Sequence, residues 1–203
     1  MSKYVLMVVG FLLLVTVGCA QEQQNLLLDD FEGAISGGAT GTVDFGAGNG
    51  SAVTVTGAQD IKNTGSQSLK VEYDAVTGGY MYIARGFGLD AQNAAWLLKP
   101  EEISWNDFSA ISFSMYGTDS KAQVAFDVKD SGGEIWRYIV VDDAQGWQQE
   151  IHPFDEFFAR TDWQPDAADK NGVLDFPIKS FQFEPLAAFK GTLYFDTVEL
   201  IKQ

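Results

Sequence analysis

Short runs in which apolar and polar residues alternate one for one constrain this chain more than any other feature. Leu69, Val71 and Tyr73 alternate with Ser68, Lys70 and Glu72, and Ile111, Phe113 and Met115 alternate with Ser112 and Ser114. Val124, Phe126 and Val128 repeat the pattern. Trp136, Tyr138 and Val140 share one side of the next run, and Phe181 with Phe183, then Leu193 with Phe195, complete the series. Successive side chains of a strand point to opposite faces, so a period of two sends one set into a core and the other toward solvent or ligand. Helical periodicity is almost absent. Turn signals separate the runs: Gly117-Thr118-Asp119, Asp130 to Gly133, Asp142 to Gly146, and Asn171-Gly172. About eight to ten strands at this spacing predict an all-β chain, an antiparallel β-sandwich. The Gly-rich stretch from Gly33 to Gly50 reads as loop and edge strand. No internal repeat, second domain or coiled coil interrupts the pattern.

Charge narrows the partners. With 13 basic and 28 acidic side chains, the net charge is −15 at pH 7. So acidic a surface repels phosphate backbones, which excludes nucleic acid as a partner and leaves neutral polysaccharides and cations compatible. The 15 Phe, 7 Tyr and 5 Trp supply both a core and stacking surfaces.

The N-terminus carries a separate message. Lys3 precedes an apolar segment, Val5 to Val17, of signal-peptide length and short for a membrane span. Thr16-Val17-Gly18-Cys19 follows, and Cys19 is the chain's one cysteine, with no partner for a disulfide or a metal site. The segment resembles a bacterial lipoprotein signal. That resemblance implies removal of residues 1–18, lipidation of Cys19, a tether over 19–27 and a folded domain over 28–203. It also implies a cell-envelope protein held to the membrane by the lipid on Cys19. Ala20 after the cysteine points to the outer membrane or cell surface if the organism has two membranes.

The densest constellation runs from Trp147 to Pro165, W-Q-Q-E-I-H-P-F-D-E-F-F-A-R-T-D-W-Q-P. With D-D-F-E-G from Asp29, G-G-Y-M-Y from Gly78, E-I-W-R-Y from Glu134 and L-Y-F-D-T-V-E-L-I from Leu193, it resembles the family 11 carbohydrate-binding modules over the whole domain. The resemblance implies a galactose-binding-domain-like jelly-roll whose concave face holds one β-glucan chain. It further implies that Tyr80 stacks on sugar, that Arg160 and Asp162 bond hydroxyls, and that Trp163 stacks where the family has tyrosine. A pyranose offers an apolar C–H face to such rings and equatorial hydroxyls to Arg and Asp. Tyr82 and Tyr138 complete the candidate binding set. Trp136 and Tyr138 share a side with Val140, so core and cleft suit them equally. Where the family carries an acid and a tyrosine in its next strand, this chain has Lys179 and Pro185. Trp147, Phe154 and Phe157 read as core, and His152, with no catalytic partner, reads as structural.

The same resemblance implies structural calcium, with Glu32 and Asp196 as carboxylate ligands beside carbonyls of the Asn63 to Ser68 turn. Two other functions remain open at this point. A jelly-roll β-glucanase needs paired carboxylates, but its E-x-D-x-x-E strand is absent: Glu72-Tyr73-Asp74 runs into Ala75-Val76-Thr77. The expectation is therefore a non-catalytic protein. Gly78-Gly79-Tyr80 and Trp147 to Phe157 also suit the complex I intermediate-associated protein 30-like jelly-rolls, which would make the chain an assembly module with an envelope protein as partner.

Overall fold

A computed structural model describes residues 24–202, and the segment holding the expected signal, Cys19 and the first tether residues lies outside them. The described residues form twelve strands and three single-turn 3-10 segments. One sheet runs β3 (Ala52–Ala58), β4 (Ser68–Asp74), β12 (Lys190–Lys202), β6 (Phe108–Thr118), β9 (Gln145–Pro153), with β1 (Leu26–Asp29) also paired to β12. The other runs β10 (Phe158–Ala159), β8 (Ile135–Val141), β7 (Gln123–Lys129), β11 (Ser180–Pro185), β5 (Tyr80–Gly86), β2 (Asp44–Gly48). All ten strand pairings are antiparallel. The antiparallel sandwich expected from the alternation, in the jelly-roll form that the resemblance implies, is thus the fold. Two details differ from expectation. The fold begins inside the expected tether, because Leu26 and Leu27 pair with Leu200 and Glu199. The edge strand β3, A-V-T-V-T-G-A, adds a strand the alternating runs above do not include.

Phenylalanine joins the sheets. Phe183 of β11 stacks on Phe195 of β12 with centroids 3.9 Å apart and planes 11° apart, and Phe113 of β6 packs on Phe126 of β7 at 4.6 Å. All four are fully buried. At one end, the bidentate Asp29–Arg85 pair ties β1 to β5, with Nε to Oδ2 at 2.6 Å and Nη2 to Oδ1 at 3.1 Å. Burial pushes the Asp29 carboxyl up, and Arg85 opposes this.

The inward face of β8 corrects one expectation. Tyr138 points into the sandwich beside Trp136 and Val140, with its ring 4.1 Å from that of His152. It does not line the cleft. The alternation that sends Val140 inward sends Tyr138 with it, and Arg137 takes the opposite face.

His152 is structural, as expected, but has a consequence for stability. Both ring nitrogens are buried without a hydrogen-bond partner, and the nearest charged group is Glu150, 4.0 Å away. Burial lowers its pKa from 6.5 to about 4. Above pH 6.5 the ring is neutral in both folded and unfolded chains. Between 6.5 and about 4 the unfolded chain binds a proton that the fold refuses, so stability falls as pH falls. The loss between pH 7 and pH 5 should be about 2 kcal/mol. Urea titrations at both pH values should show this loss in the protein and not in His152→Phe. Equal losses in both would refute it.

Candidate functional site

Period-two alternation leaves the outer face of the second sheet with its own row of side chains. Across neighbouring strands the register aligns Asp44, Ala84, Gln182, Asp127, Arg137 and Phe158. Small residues, Ala84, Ala125 and Ser180, keep the middle of this face low, and Gly46 and Gly48 do the same at its β2 edge. The result is a groove of about 650 Å³, walled by Tyr80 and Tyr82 of β5 on one side and by Arg160, Asp162 and Trp163 on the other.

Its floor is an ion-pair network. Arg137 grips Asp127 with both Nε (2.7 Å) and Nη2 (2.8 Å), and Nη2 also meets Glu184. Arg160 reaches the same acids through Nη1, 3.1 Å from Glu184 and 3.5 Å from Asp127. Gln182 Nε2 donates to Asp127 at 3.3 Å. Burial pushes the carboxyls of Asp127 and Glu184 up, while the two arginines oppose this. Burial works against charge on Arg160 too, but its hydrogen bonds to Asp162 and its proximity to Glu184 outweigh this and raise its pKa.

Arg160 then turns outward. Its Nε and Nη2 hold Asp162 in a bidentate pair at 2.8 and 2.9 Å, which lowers the Asp162 pKa. The pairing of Arg160 with Asp162 is therefore real, yet it does not remove Asp162 from the groove, because that side chain is 62% exposed. The Arg160 guanidinium also lies 5.8 Å from the Trp163 ring centroid, a cation–π contact. The loop behind these residues is fixed by Gln164, whose amide acts as a false strand partner. Its Oε1 accepts from the Ile135 amide at 2.7 Å, and its Nε2 donates to the carbonyls of Ile135 (2.8 Å) and Arg160 (2.9 Å). Trp163 stays 56% exposed and Tyr80 50% exposed. Large rings left open on rigid supports can receive the apolar face of a sugar, while Asp162 and Gln182 offer polar atoms to its hydroxyls.

The structure thus brings Tyr80, Tyr82, Arg160, Asp162 and Trp163 to one groove and leaves Tyr138 out. It adds Asp127, Arg137, Gln182, Glu184 and the positioning residue Gln164. Four of these were legible: if Phe126, Phe181, Phe183 and Tyr138 face the core, their neighbours face away from it. A mid-strand Asp flanked by apolar residues, as in V-A-F-D-V, is itself a signal, because strands seldom carry one without a partner. Lys179 is turned from the groove onto the Ser131 carbonyl at 2.6 Å, and Pro185 is buried at the end of β11. Between them the strand does bring one acid to the groove, Glu184.

Glu32 and Asp196 meet one loop from two sides. Glu32 accepts from the amides of Ser66 (2.7 Å) and Gln67 (3.1 Å) and from the Ser66 hydroxyl, which lowers its pKa. Asp196, fully buried, accepts from the amides of Asn63 (2.9 Å) and Thr64 (3.1 Å). A cation already stands at this loop, Lys62 Nζ on the Ser66 carbonyl at 3.4 Å. Carboxylates turned onto N–H donors make a loop clamp, and as arranged the residues do not fit a calcium cage, which needs six to eight oxygens turned to one point. Among the described residues no three acids, histidines or cysteines gather at such a point.

The profile of the carbohydrate binding domain (family 11) matches residues 15–203. The chain belongs to this family. A solved family 11 module from a cellulosomal cellulase of Clostridium thermocellum is 24% identical, with a TM-score of 0.67 over 89% of this chain and 95% of that one. The same organism's family 11 module in complex with a β-1,3-1,4-mixed-linked tetrasaccharide aligns equally, at 24% identity and TM-score 0.67 over 88% of this chain and 95% of that one. A β-1,2-glucanase from Parabacteroides distasonis is 14% identical with a TM-score of 0.56, over 88% of this chain and 25% of the enzyme. No curated protein matches. Membership in family 11 makes carbohydrate binding the function of this fold, and the solved modules share its two-sheet architecture.

Proposed function

We propose that this family 11 protein captures a β-glucan-type polysaccharide in the groove without cleaving it. One observation carries the reading: Trp163 and Tyr80, both half or more exposed, face one groove from opposite sides of the buried Asp127–Arg137–Glu184 floor. The rings stack on pyranose faces, and Asp162 and Gln182 bond the hydroxyls between them. The related module that holds a mixed-linked tetrasaccharide supports the choice of β-glucan. No catalysis is assigned, because the floor carboxylates are locked in ion pairs with arginines rather than free to act as acid and base. A lipid on Cys19 would hold the protein at the cell envelope, at the outer membrane or cell surface in an organism with two membranes. There it would retain glucan for degrading enzymes.

Calorimetric titration of the purified protein against soluble glycans is the direct test. Saturable binding to a β-glucan, absent with uronate polymers, is the expected result. No heat with any glycan, from protein shown to be folded, would overturn the reading in favour of an assembly module with a protein partner. For the anchor, Cys19→Ser should release the protein from the membrane fraction, and unchanged membrane association would refute lipidation.

A further inference from the structure

Resting on that reading of the groove, a second observation concerns how the β5 tyrosines are held. Edge strand β2 pairs with β5 so that Gly46 lies opposite Tyr82 and Gly48 opposite Tyr80. Neither ring stands straight up. A Cβ at Gly48 would sit 2.6 Å from Cε1, Cζ and Oη of Tyr80, and one at Gly46 would sit 3.0–3.1 Å from the same atoms of Tyr82. The rings occupy the space that side chains of β2 would fill. Backbone conformation does not demand glycine at either place, since neither has a positive φ. A strand interior ordinarily disfavours glycine, which has no side chain to pack. The other face of β2 does carry side chains, Phe45 and Ala47, packed against the core. On its groove side β2 is bare beyond Asp44.

We propose that Gly46 and Gly48 are positioning residues for carbohydrate binding. They let Tyr82 and Tyr80 lean over the β2 backbone, so that each ring has one face supported and the other turned to the groove. They touch no sugar themselves. Any side chain there would lift the ring and spoil the surface on which a neutral pyranose stacks.

The test is a double-mutant cycle of Gly48→Ala with Tyr80→Ala, read as Kd for soluble mixed-linkage β-glucan. Thermal melts accompany each variant to confirm folding. Gly48→Ala should weaken binding about tenfold in the natural background, with little change in melting temperature, and should have no further effect once Tyr80 is alanine. Gly46→Ala, where the contact is looser, should do the same to a smaller degree and serves if Gly48→Ala does not fold. Equal weakening in both backgrounds would place the effect in the strand rather than the ring, and unchanged affinity would deny the role; either overturns the proposal while leaving the groove as the binding site. If the natural protein binds no glycan at all, the parent reading fails, and this one with it.

Discussion

Asp127→Ala should cost this protein about 3–5 kcal/mol, because removing one member of a buried ion-pair network leaves its partner charges short of a counter-ion. Asp127 is 1% exposed and accepts from Arg137, Arg160 and Gln182, so its loss leaves Glu184 as the one buried acid shared by two guanidinium groups. A domain's whole stability is about 5–15 kcal/mol, so the variant should melt far below the natural protein. Removing Arg137 as well should recover part of the loss, since the pair is costly chiefly when half of it remains. Denaturant titrations of the two single variants and the double variant measure this. A loss under about 1 kcal/mol would mean that water reaches and solvates the network.

Trp163→Ala should leave the fold untouched and remove the larger part of the affinity. More than half of the ring is exposed, so little packing depends on it. Its contact with Arg160 is at the surface. Loss of a central aromatic anchor costs about 2 kcal/mol, or roughly thirtyfold in Kd. Trp163→Phe should retain most of the binding, because a smaller ring still presents an apolar face. Affinity unchanged in Trp163→Ala would remove the stacking wall from the site and with it the reason to read the groove as a glycan cleft.

The contrast between these variants follows from where each residue stands. Asp127 holds the floor and Trp163 meets the ligand. Sequence reasoning reached the second and passed over the first, and the reason is physical. Motif-bearing residues cluster on one loop, Arg160 to Trp163, where proximity in sequence implies proximity in space. Asp127, Arg137 and Glu184 lie on three different strands, and only pairing brings them together.

Alternation by itself determined that this chain folds into strands, which side chains of each strand enter the core, and hence the sandwich. The acidic composition by itself disfavoured nucleic acid. Which face Tyr138 takes was also implicit in its spacing from Val140, yet the residue type argued the other way, and packing against His152 decided it. Strand register alone set Gly48 beside Tyr80 and brought Glu184 to the groove. The same holds for Glu32 and Asp196, whose approach to one loop was legible but whose oxygens turn to its amides. A period of two is a local property, fixed by the pleat of each strand. Register and side-chain direction depend on which strand lies alongside, and that is decided only when the two sheets close.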